Sequence, residues 1–164
     1  FQFKEIDAQS IPFEDETFDA VIANHMLYHV RDRAKAITEI RRVLKPAGLL
    51  VATTLGKSHM QEMTEWMRQT SADKSLEPFS LSFSLENGLD QLHPFFSTVR
   101  LQRYEDHLEV TEVEPVIAYL SSGFQATDVL KDEVEKLRDE LQTRLENEKS
   151  IHISKDSGLF EAVK

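Results

Sequence analysis

The pattern that most restricts the fold is an apolar run, an amphipathic helix and a second apolar run within residues 18–54. Residues 18–23 and residues 49–54 alternate little between apolar and polar side chains, which is typical of parallel strands covered on both faces. The helix between them would begin at an N-cap, Asp32. Its apolar stripe consists of Ala36, Ile37, Ile40, Val43 and Leu44. The pattern predicts a right-handed βαβ unit and therefore an α/β fold.

Charge and composition narrow the functional classes. The net charge of -10 argues against binding to a nucleic-acid backbone or to an anionic membrane surface. The absence of cysteine excludes disulfides and thiolate metal sites and fits a cytoplasmic location. No apolar run approaches the roughly 18 residues of a membrane-spanning helix. These properties therefore argue against a nucleic acid or a membrane surface as the partner.

Further along the chain the periodicity predicts helices and late strands. Residues 1–6 alternate like a short strand. Two paired strands are predicted at residues 151–154 and 159–163. The turn between them would be residues 155–158, with Gly158 as its last residue. Between these ends, helices are predicted at 58–69, 84–92, 114–120 and 128–149, and one or two strands at 97–110.

Two helical stripes could have other uses than core packing. Met60, Met63, Trp66 and Met67 form the apolar side of the helix at 58–69, and we interpret them as core rather than as a cofactor box. Leucines spaced for a coiled coil run through the helix at 128–149. Because two heptads are too few for a coiled coil, we predict a helix that packs on its own domain. Its apolar side consists of Leu130, Val134, Leu137, Leu141 and Leu145.

Three segments, in order, carry a family resemblance. They are Asp7-Ala8-x-x-Ile11-Pro12-Phe13-x-Asp15-x-x-Phe18-Asp19-x-Val21, then Leu27-x-His29, then Glu39-x-x-Arg42-Val43-Leu44-Lys45-Pro46-x-Gly48. They resemble class I S-adenosylmethionine-dependent methyltransferases, in the small-molecule branch that includes the ubiquinone/menaquinone-biosynthesis enzymes. The match is close over residues 1–54 and extends only to the layout beyond residue 55. Ala47 stands where the family usually has the first of two glycines.

The resemblance implies a Rossmann-like methyltransferase fold with a mainly parallel sheet and an antiparallel strand at the C-terminus. Residues 1–57 and 150–164 would form the partial core, and residues 58–149 the helices, late strands and substrate cover of the same domain. The implied activity is methyl transfer from S-adenosylmethionine to a small-molecule acceptor. Acceptor choice would reside at about residues 78–149.

The resemblance also implies the site, because ligands of open parallel sheets lie beyond the carboxyl ends of the strands. Asp7 would accept a hydrogen bond from the adenine amino group, and Ala8 would offer its backbone N–H to the ring. Asn24, His25 and Met26 would face the methionine moiety, and His29 is the candidate catalytic base.

Each of these residues has a structural alternative. Asp7 could cap a turn, His25 could be an exposed loop residue, and His29 could cap the following helix. His25, His29 and His59 lack ligand spacing and a paired acid, so no metal site is predicted. The acidic residues 14–16 likewise lack the spacing and the glycine of a calcium loop.

The resemblance further implies a strand, a glycine-rich loop and a second strand ahead of Phe1. Gly48, Gly56, Gly88, Gly123 and Gly158 lie too far apart to form that loop. We therefore expect a chain truncated at its N-terminus and inactive alone, with residues 18–23 as an apolar edge that favours homo-oligomers. The alternative function is a non-catalytic half-domain that acts through self-association or a partner.

Overall fold

The computed structural model describes residues 2–70, 82–122 and 131–164, which form a mixed α/β fold. Four strands form one sheet in the order β1-β2-β4-β3. The strands are β1 (Phe18–Asn24), β2 (Leu44–Leu55), β3 (Thr98–Val110) and β4 (Ile151–Val163). The longer helices are α1 (Arg33–Val43), α2 (Gln61–Thr70), α3 (Gly88–Leu92), α4 (Val113–Ser122) and α5 (Lys131–Glu148). Within these described ranges, no helix combines the length and apolar character needed to cross a membrane.

The predicted βαβ unit is confirmed. β1 pairs parallel with β2, Val21 lying opposite Leu50 and Ala23 opposite Ala52. Asp32 is the N-cap of α1, its carboxylate accepting from the Lys35 backbone N–H at 3.0 Å. The predicted stripe of α1 is buried: Ala36, Ile37, Ile40 and Val43. β2 begins at Leu44, earlier than predicted, and the register shifts between Phe18 and Ala20 to accommodate residues 45–48.

The sheet is mixed, so its mainly parallel character was predicted inexactly. β2 pairs antiparallel with β4, from Leu49 opposite Val163 to Leu55 opposite Ser157. Of the predicted strand at residues 1–6, Phe1 lies outside the described residues and residues 2–6 form no strand. β1 is an edge strand of the sheet and is largely exposed, so the prediction that it is covered on both faces was wrong.

The predicted turn at residues 155–158 is also wrong, because β4 runs unbroken through it. Gly158 does not have a positive φ. A Cβ at Gly158 would lie 2.5 Å from the Gln102 carbonyl oxygen and 3.1 Å from the Arg103 Cα. The glycine is needed because β3 approaches closely there, and it does not mark a turn.

The chain divides into two compact units. Unit 1 comprises Phe1–Lys57, Phe79–Tyr104 and Ser157–Lys164, and unit 2 comprises Ser58–Pro78 and Glu105–Asp156. The predicted division into a core and a substrate cover remains a prediction.

Each unit has its own apolar core. In unit 1 the core lies between α1, the sheet and α3, and its largest fully buried side chains include Phe83 and Phe160. In unit 2, Met63 and Trp66 of α2 pack with Leu137 and Leu141 of α5. The interpretation of these two helical stripes as core is therefore confirmed, with Leu130 outside the described residues.

Candidate functional site

A cavity of about 490 Å³ lies in unit 1 beside the carboxyl half of β1. The loop at residues 6–11 forms one wall, and the segment that follows β1 forms another. Four of the predicted site residues line this cavity together: Asp7, Ala8, Met26 and His29. Apolar lining comes from Ile6, Ile11, Val21, Ile22, Ala23 and Ile40. The cavity thus combines an apolar wall with a small number of polar groups, as ligand sites usually do.

Asp7 occupies a turn at the rim of this cavity. Its Oδ1 accepts from the Gln9 backbone N–H at 2.8 Å and from the Gln9 Nε2 at 3.2 Å. These hydrogen bonds, the backbone one first, lower the pKa of Asp7 below its usual value. Its Oδ2 has a longer contact, 3.4 Å, with the Gln9 Nε2 and no other hydrogen bond from the residues that the structure describes. Asp7 therefore caps a turn, as its structural alternative predicts. Its Oδ2 can still accept a further hydrogen bond.

Ala8 follows Asp7 in the same wall and is half-buried. Within the described ranges, no protein group accepts a hydrogen bond from its backbone N–H. A half-buried amide donor beside a carboxylate can bind a ring nitrogen while the carboxylate binds an adjacent amino group. Asp7 and Ala8, which supply such an acceptor and such a donor, both line the cavity.

His29 reaches the cavity from a short 3-10 helix, Leu27–His29. Leu27 is 1% exposed and anchors this turn in the core of unit 1. The His29 backbone N–H donates to the Met26 carbonyl at 3.0 Å, and the His29 ring packs against the Tyr28 ring with centroids 4.4 Å apart. Since Asp32 caps α1, His29 does not perform the capping role that was its alternative.

Asn24 and His25 do not line the cavity with the other predicted residues. His25 has a left-handed backbone with φ 46°, and its N–H donates to the Thr53 Oγ1 at 3.0 Å. The Thr53 hydroxyl in turn contacts the Asn24 Oδ1 at 3.4 Å. These contacts tie the end of β1 to β2. A binding role for Asn24 and His25 remains a prediction.

An ion pair on α1 holds the loop that leads from the cavity wall into β1. The Arg42 guanidinium donates to both Glu39 carboxylate oxygens at 2.8 and 2.9 Å. It also donates to the carbonyls of Ile11 and Phe13, at 2.9 and 2.8 Å, and to the Asp15 carboxylate at 2.7 Å. Because the guanidinium is planar and presents five donors, it can serve these acceptors at once.

Glu39 completes this arrangement by accepting from the Ile11 backbone N–H at 3.0 Å. The Arg42 hydrogen bond, first among several causes, lowers the pKa of Glu39. The role of this pair was not predicted, although Glu39-x-x-Arg42 is part of the family pattern. The i,i+3 spacing on a helix signals the pair itself, but its loop partners lie about thirty positions earlier in the sequence.

The comparisons with known proteins concern the same part of the chain as this cavity. Residues 1–52 match the family model described as "Methyltransferase domain". Over 70 residues the chain is 33% identical to the ubiquinone/menaquinone biosynthesis C-methyltransferase UbiE of Marinomonas, covering 43% of this chain and 28% of that protein. The resemblance to class I S-adenosylmethionine-dependent methyltransferases is confirmed.

A second relative shows a different activity within the same sequence group. The mitochondrial arginine-hydroxylase NDUFAF5 of Mus musculus is 30% identical over 88 residues, covering 52% of this chain and 26% of that protein. The matches thus span about a quarter of the length of these curated relatives. The resemblance therefore does not determine the reaction.

The fold has a close counterpart among solved structures. The BH2331 protein of Bacillus halodurans C-125 has a TM-score of 0.61 and 18% identity, with 99% of this chain and 77% of that chain covered. This likeness supports the predicted Rossmann-like methyltransferase fold. It carries no information on the acceptor.

Proposed function

We propose that this chain contributes to an enzyme that transfers a methyl group from S-adenosylmethionine to a small-molecule acceptor. The observation that carries the proposal is the convergence of Asp7, Ala8, Met26 and His29 on one cavity in the part of the chain that matches a methyltransferase domain.

The groups around the cavity fit the cofactor of this family. An adenine ring needs an apolar slot, an acceptor for its amino group and a donor for a ring nitrogen. Val21 and Ile11 supply apolar surface, the Asp7 Oδ2 supplies the acceptor, and the Ala8 N–H supplies the donor. When bound, S-adenosylmethionine would supply an electrophilic sulfonium methyl group.

The residues of the chain would then act mainly by positioning. Asp7 and Ala8 hold the adenine end, and the Glu39–Arg42 pair keeps the loop behind them in place. Holding two reactants in line removes much of the entropic barrier to a displacement. Where the acceptor must lose a proton, the His29 imidazole is the group that lines the cavity and can take it.

The 164 residues supply only part of the contacts that the cofactor needs, because none of their glycines are close enough to form a glycine-rich loop. We therefore propose that the 164-residue chain alone does not bind S-adenosylmethionine measurably. Tests of binding and turnover belong to the intact protein that contains this sequence. Calorimetric titration of both proteins with S-adenosylhomocysteine checks this proposal, and micromolar binding to the 164-residue chain would contradict it.

Asp7→Asn in the intact protein separates binding from turn capping. The amide oxygen can still accept from the Gln9 N–H, while the other oxygen is replaced by an NH2 group that cannot accept from an adenine amino group. We expect affinity for S-adenosylhomocysteine to fall by about 1–3 kcal/mol, or roughly 5- to 150-fold, with little change in melting temperature. Isothermal titration measures the affinity.

The matched control is Glu14→Gln, which changes an exposed carboxylate outside the cavity and should leave the affinity unchanged. Equal affinity of the Asp7→Asn variant and the parent protein would reduce Asp7 to a turn cap. That result would remove the adenine site from this cavity.

His29→Asn tests the proton-transfer role. A lost general base lowers turnover by roughly 10²-fold or more, whereas cofactor affinity should change little. The pH profile of turnover should also lose its ascending limb. His93→Asn, which changes an exposed histidine outside the cavity, is the control. Unchanged turnover and an unchanged pH profile would make His29 a structural residue of the cavity wall.

A second function has its own supporting observation. β1 is an edge strand of the sheet, and Ile22 at its centre is 67% exposed. An exposed apolar edge can pair with a second copy or with another extended segment. The alternative is therefore a non-catalytic half-domain that acts by association. Its test concerns the whole molecule and is argued in the Discussion.

A further inference from the structure

Unit 2 contains a cluster of two imidazoles and one carboxylate that has no part in the proposed methyl transfer. His107 and Glu109 are two residues apart on β3, so their side chains share one face of the sheet. His152 is on the neighbouring strand β4. One potential ligand atom from each residue lies within 4.8 Å of the other two.

The distances suit a transition-metal ion. The Glu109 Oε1 lies 3.1 Å from the His152 Nδ1 and 3.6 Å from the His107 Nε2. Zinc bonds to nitrogen and carboxylate oxygen are about 2.0–2.2 Å long, so two ligand atoms on a tetrahedral ion are about 3.4 Å apart. The two distances lie on either side of that value. The third pair of ligand atoms, one nitrogen from each imidazole, lies within 4.8 Å.

Neighbouring contacts hold the ligands in place. The Ser150 Oγ donates to the second Glu109 oxygen, Oε2, at 2.6 Å, which fixes the carboxylate and leaves Oε1 directed at the histidines. The His107 and His152 rings are stacked, with centroids 5.0 Å apart and an angle of 25° between their planes. In metal sites, hydrogen bonds like the one from Ser150 commonly hold the ligand side chains in the orientation that binds the ion.

An ordinary ion pair between Glu109 and one histidine does not explain the whole arrangement. One carboxylate beside one histidine would suffice for an ion pair, yet Glu109 faces two stacked rings through the same oxygen. The adjacent Asp106 is engaged by Lys155 at 2.8 Å, so it does not compete for the histidines. All three side chains remain about half exposed, which leaves access for an ion from solvent.

We propose that His107, Glu109 and His152 bind a divalent transition-metal ion of the Zn²⁺ class. Two imidazoles and one carboxylate select Zn²⁺, Cu²⁺ or Ni²⁺ over Mg²⁺ and Ca²⁺, which prefer all-oxygen sites. Three protein ligands leave a further coordination position to water. The ion would join β3 to β4 within unit 2 and stabilise that pair of strands.

The test is calorimetric titration of the 164-residue chain with ZnCl2, with MgCl2 as the ion control. We expect one Zn²⁺ per chain with a dissociation constant on the order of 10 µM or tighter. Zn²⁺ should also raise the melting temperature, because an ion that binds only the folded state stabilises it. His107→Gln, His152→Gln and Glu109→Gln should each weaken binding about tenfold or more.

His93→Gln is the matched control, since it removes an exposed histidine outside this cluster and should leave Zn²⁺ affinity unchanged. Equal Zn²⁺ affinity in the His107→Gln, His152→Gln and parent proteins would overturn the proposal, as would a response to Mg²⁺ of the same size. If a variant does not fold, NMR of the parent chain decides. Zn²⁺ must then shift the ring signals of His107 and His152, and unshifted signals would also overturn the proposal. None of these outcomes depends on methyltransferase activity.

Discussion

At the scale of single residues, Ala47 has a left-handed backbone conformation with φ 60°. This conformation costs a residue with a Cβ about 1–2 kcal/mol, whereas glycine adopts it freely. Ala47→Gly removes that strain. It also makes the unfolded chain more flexible, which lowers the stability by about 0.4–1 kcal/mol. We expect a net gain of about 0.5–1 kcal/mol in the free energy of unfolding. Urea denaturation measures it.

The neighbouring Gly48 provides a control for which we expect the opposite change in stability. A Cβ at Gly48 would lie 2.8 Å from the Lys45 carbonyl oxygen and 3.2 Å from that of Asp19. Both contacts are with backbone atoms that cannot rotate away, so Gly48→Ala should destabilise the fold by roughly 1–3 kcal/mol. A loss of stability in the Ala47→Gly variant, or none in Gly48→Ala, would contradict this account of the backbone at residues 47 and 48.

Residue patterns predicted part of the candidate site and missed the rest for physical reasons. The family resemblance implied Asp7, Ala8, Met26 and His29 as site residues, and all four line one cavity, although the strand expected before Asp7 does not form. The Glu39–Arg42 contacts with the loop at residues 11–15 could not be predicted, because hydrogen bonds to backbone carbonyls leave no trace in residue type. The cluster around Glu109 was missed because His107 and His152 lie on strands far apart in the sequence.

At the scale of elements, the Glu39–Arg42 pair connects α1 to the loop that precedes β1, and this connection should depend on pH. The pKa of Glu39 is lowered below its ordinary 4.5 in the folded state. A lowered carboxyl pKa contributes stability that is present above pH 4.5 and is lost as the pH falls through the folded-state pKa.

Glu39→Gln removes the negative charge of the side chain and keeps nearly the same side-chain shape. We expect the variant to melt roughly 2–4 °C lower than the parent chain at pH 7, and the difference to shrink as the pH falls below 4.5. Thermal denaturation across pH 3–7 measures both trends. Glu112→Gln, at an exposed position outside this pair, should melt like the parent at every pH. A Glu39→Gln difference independent of pH would show that the pair does not act through charge.

Helix and strand patterns could be recognised wherever a long apolar stripe set the period, as in α1 and α5. They failed where a tertiary contact determined the conformation. A glycine after a run of polar residues indicates a turn in an isolated hairpin, whereas Gly158 is required by the close approach of β3. The strand predicted at residues 1–6 shows the same limit, because alternation alone does not form a strand without a neighbour to pair with.

At the scale of the whole molecule, the chain has two apolar cores, one in each of its two compact units. The sequence contains the apolar stripes of both cores but not the division itself. Residues 82–97 belong to unit 1 with β1 and β2, although they lie more than 25 positions after the end of β2 in the sequence. That grouping depends on contacts such as the Leu85 N–H with the Leu55 carbonyl at 3.1 Å.

The edge of the sheet leads to the last prediction, that the 164-residue chain associates through β1. Ile22 is 67% exposed there, and an apolar edge strand with free N–H and C=O groups is a template for another chain. Ile22→Lys places a charge on that strand, and lysine on an edge disfavours strand pairing. We expect the parent chain to form dimers or larger species and the Ile22→Lys variant to be monomeric. Sedimentation velocity over a range of concentrations measures this.

The opposite edge strand supplies the control for that experiment. Tyr104 on β3 is 64% exposed, and Tyr104→Lys introduces the same charge at the other side of the sheet. If β1 is the contact, the Tyr104→Lys variant associates as strongly as the parent. Dissociation by Tyr104→Lys alone would assign the contact to β3, and a parent chain that stays monomeric at every concentration would refute association altogether. Since lysine at position 22 alters pairing without changing the buried core of unit 1, its circular dichroism spectrum should match that of the parent.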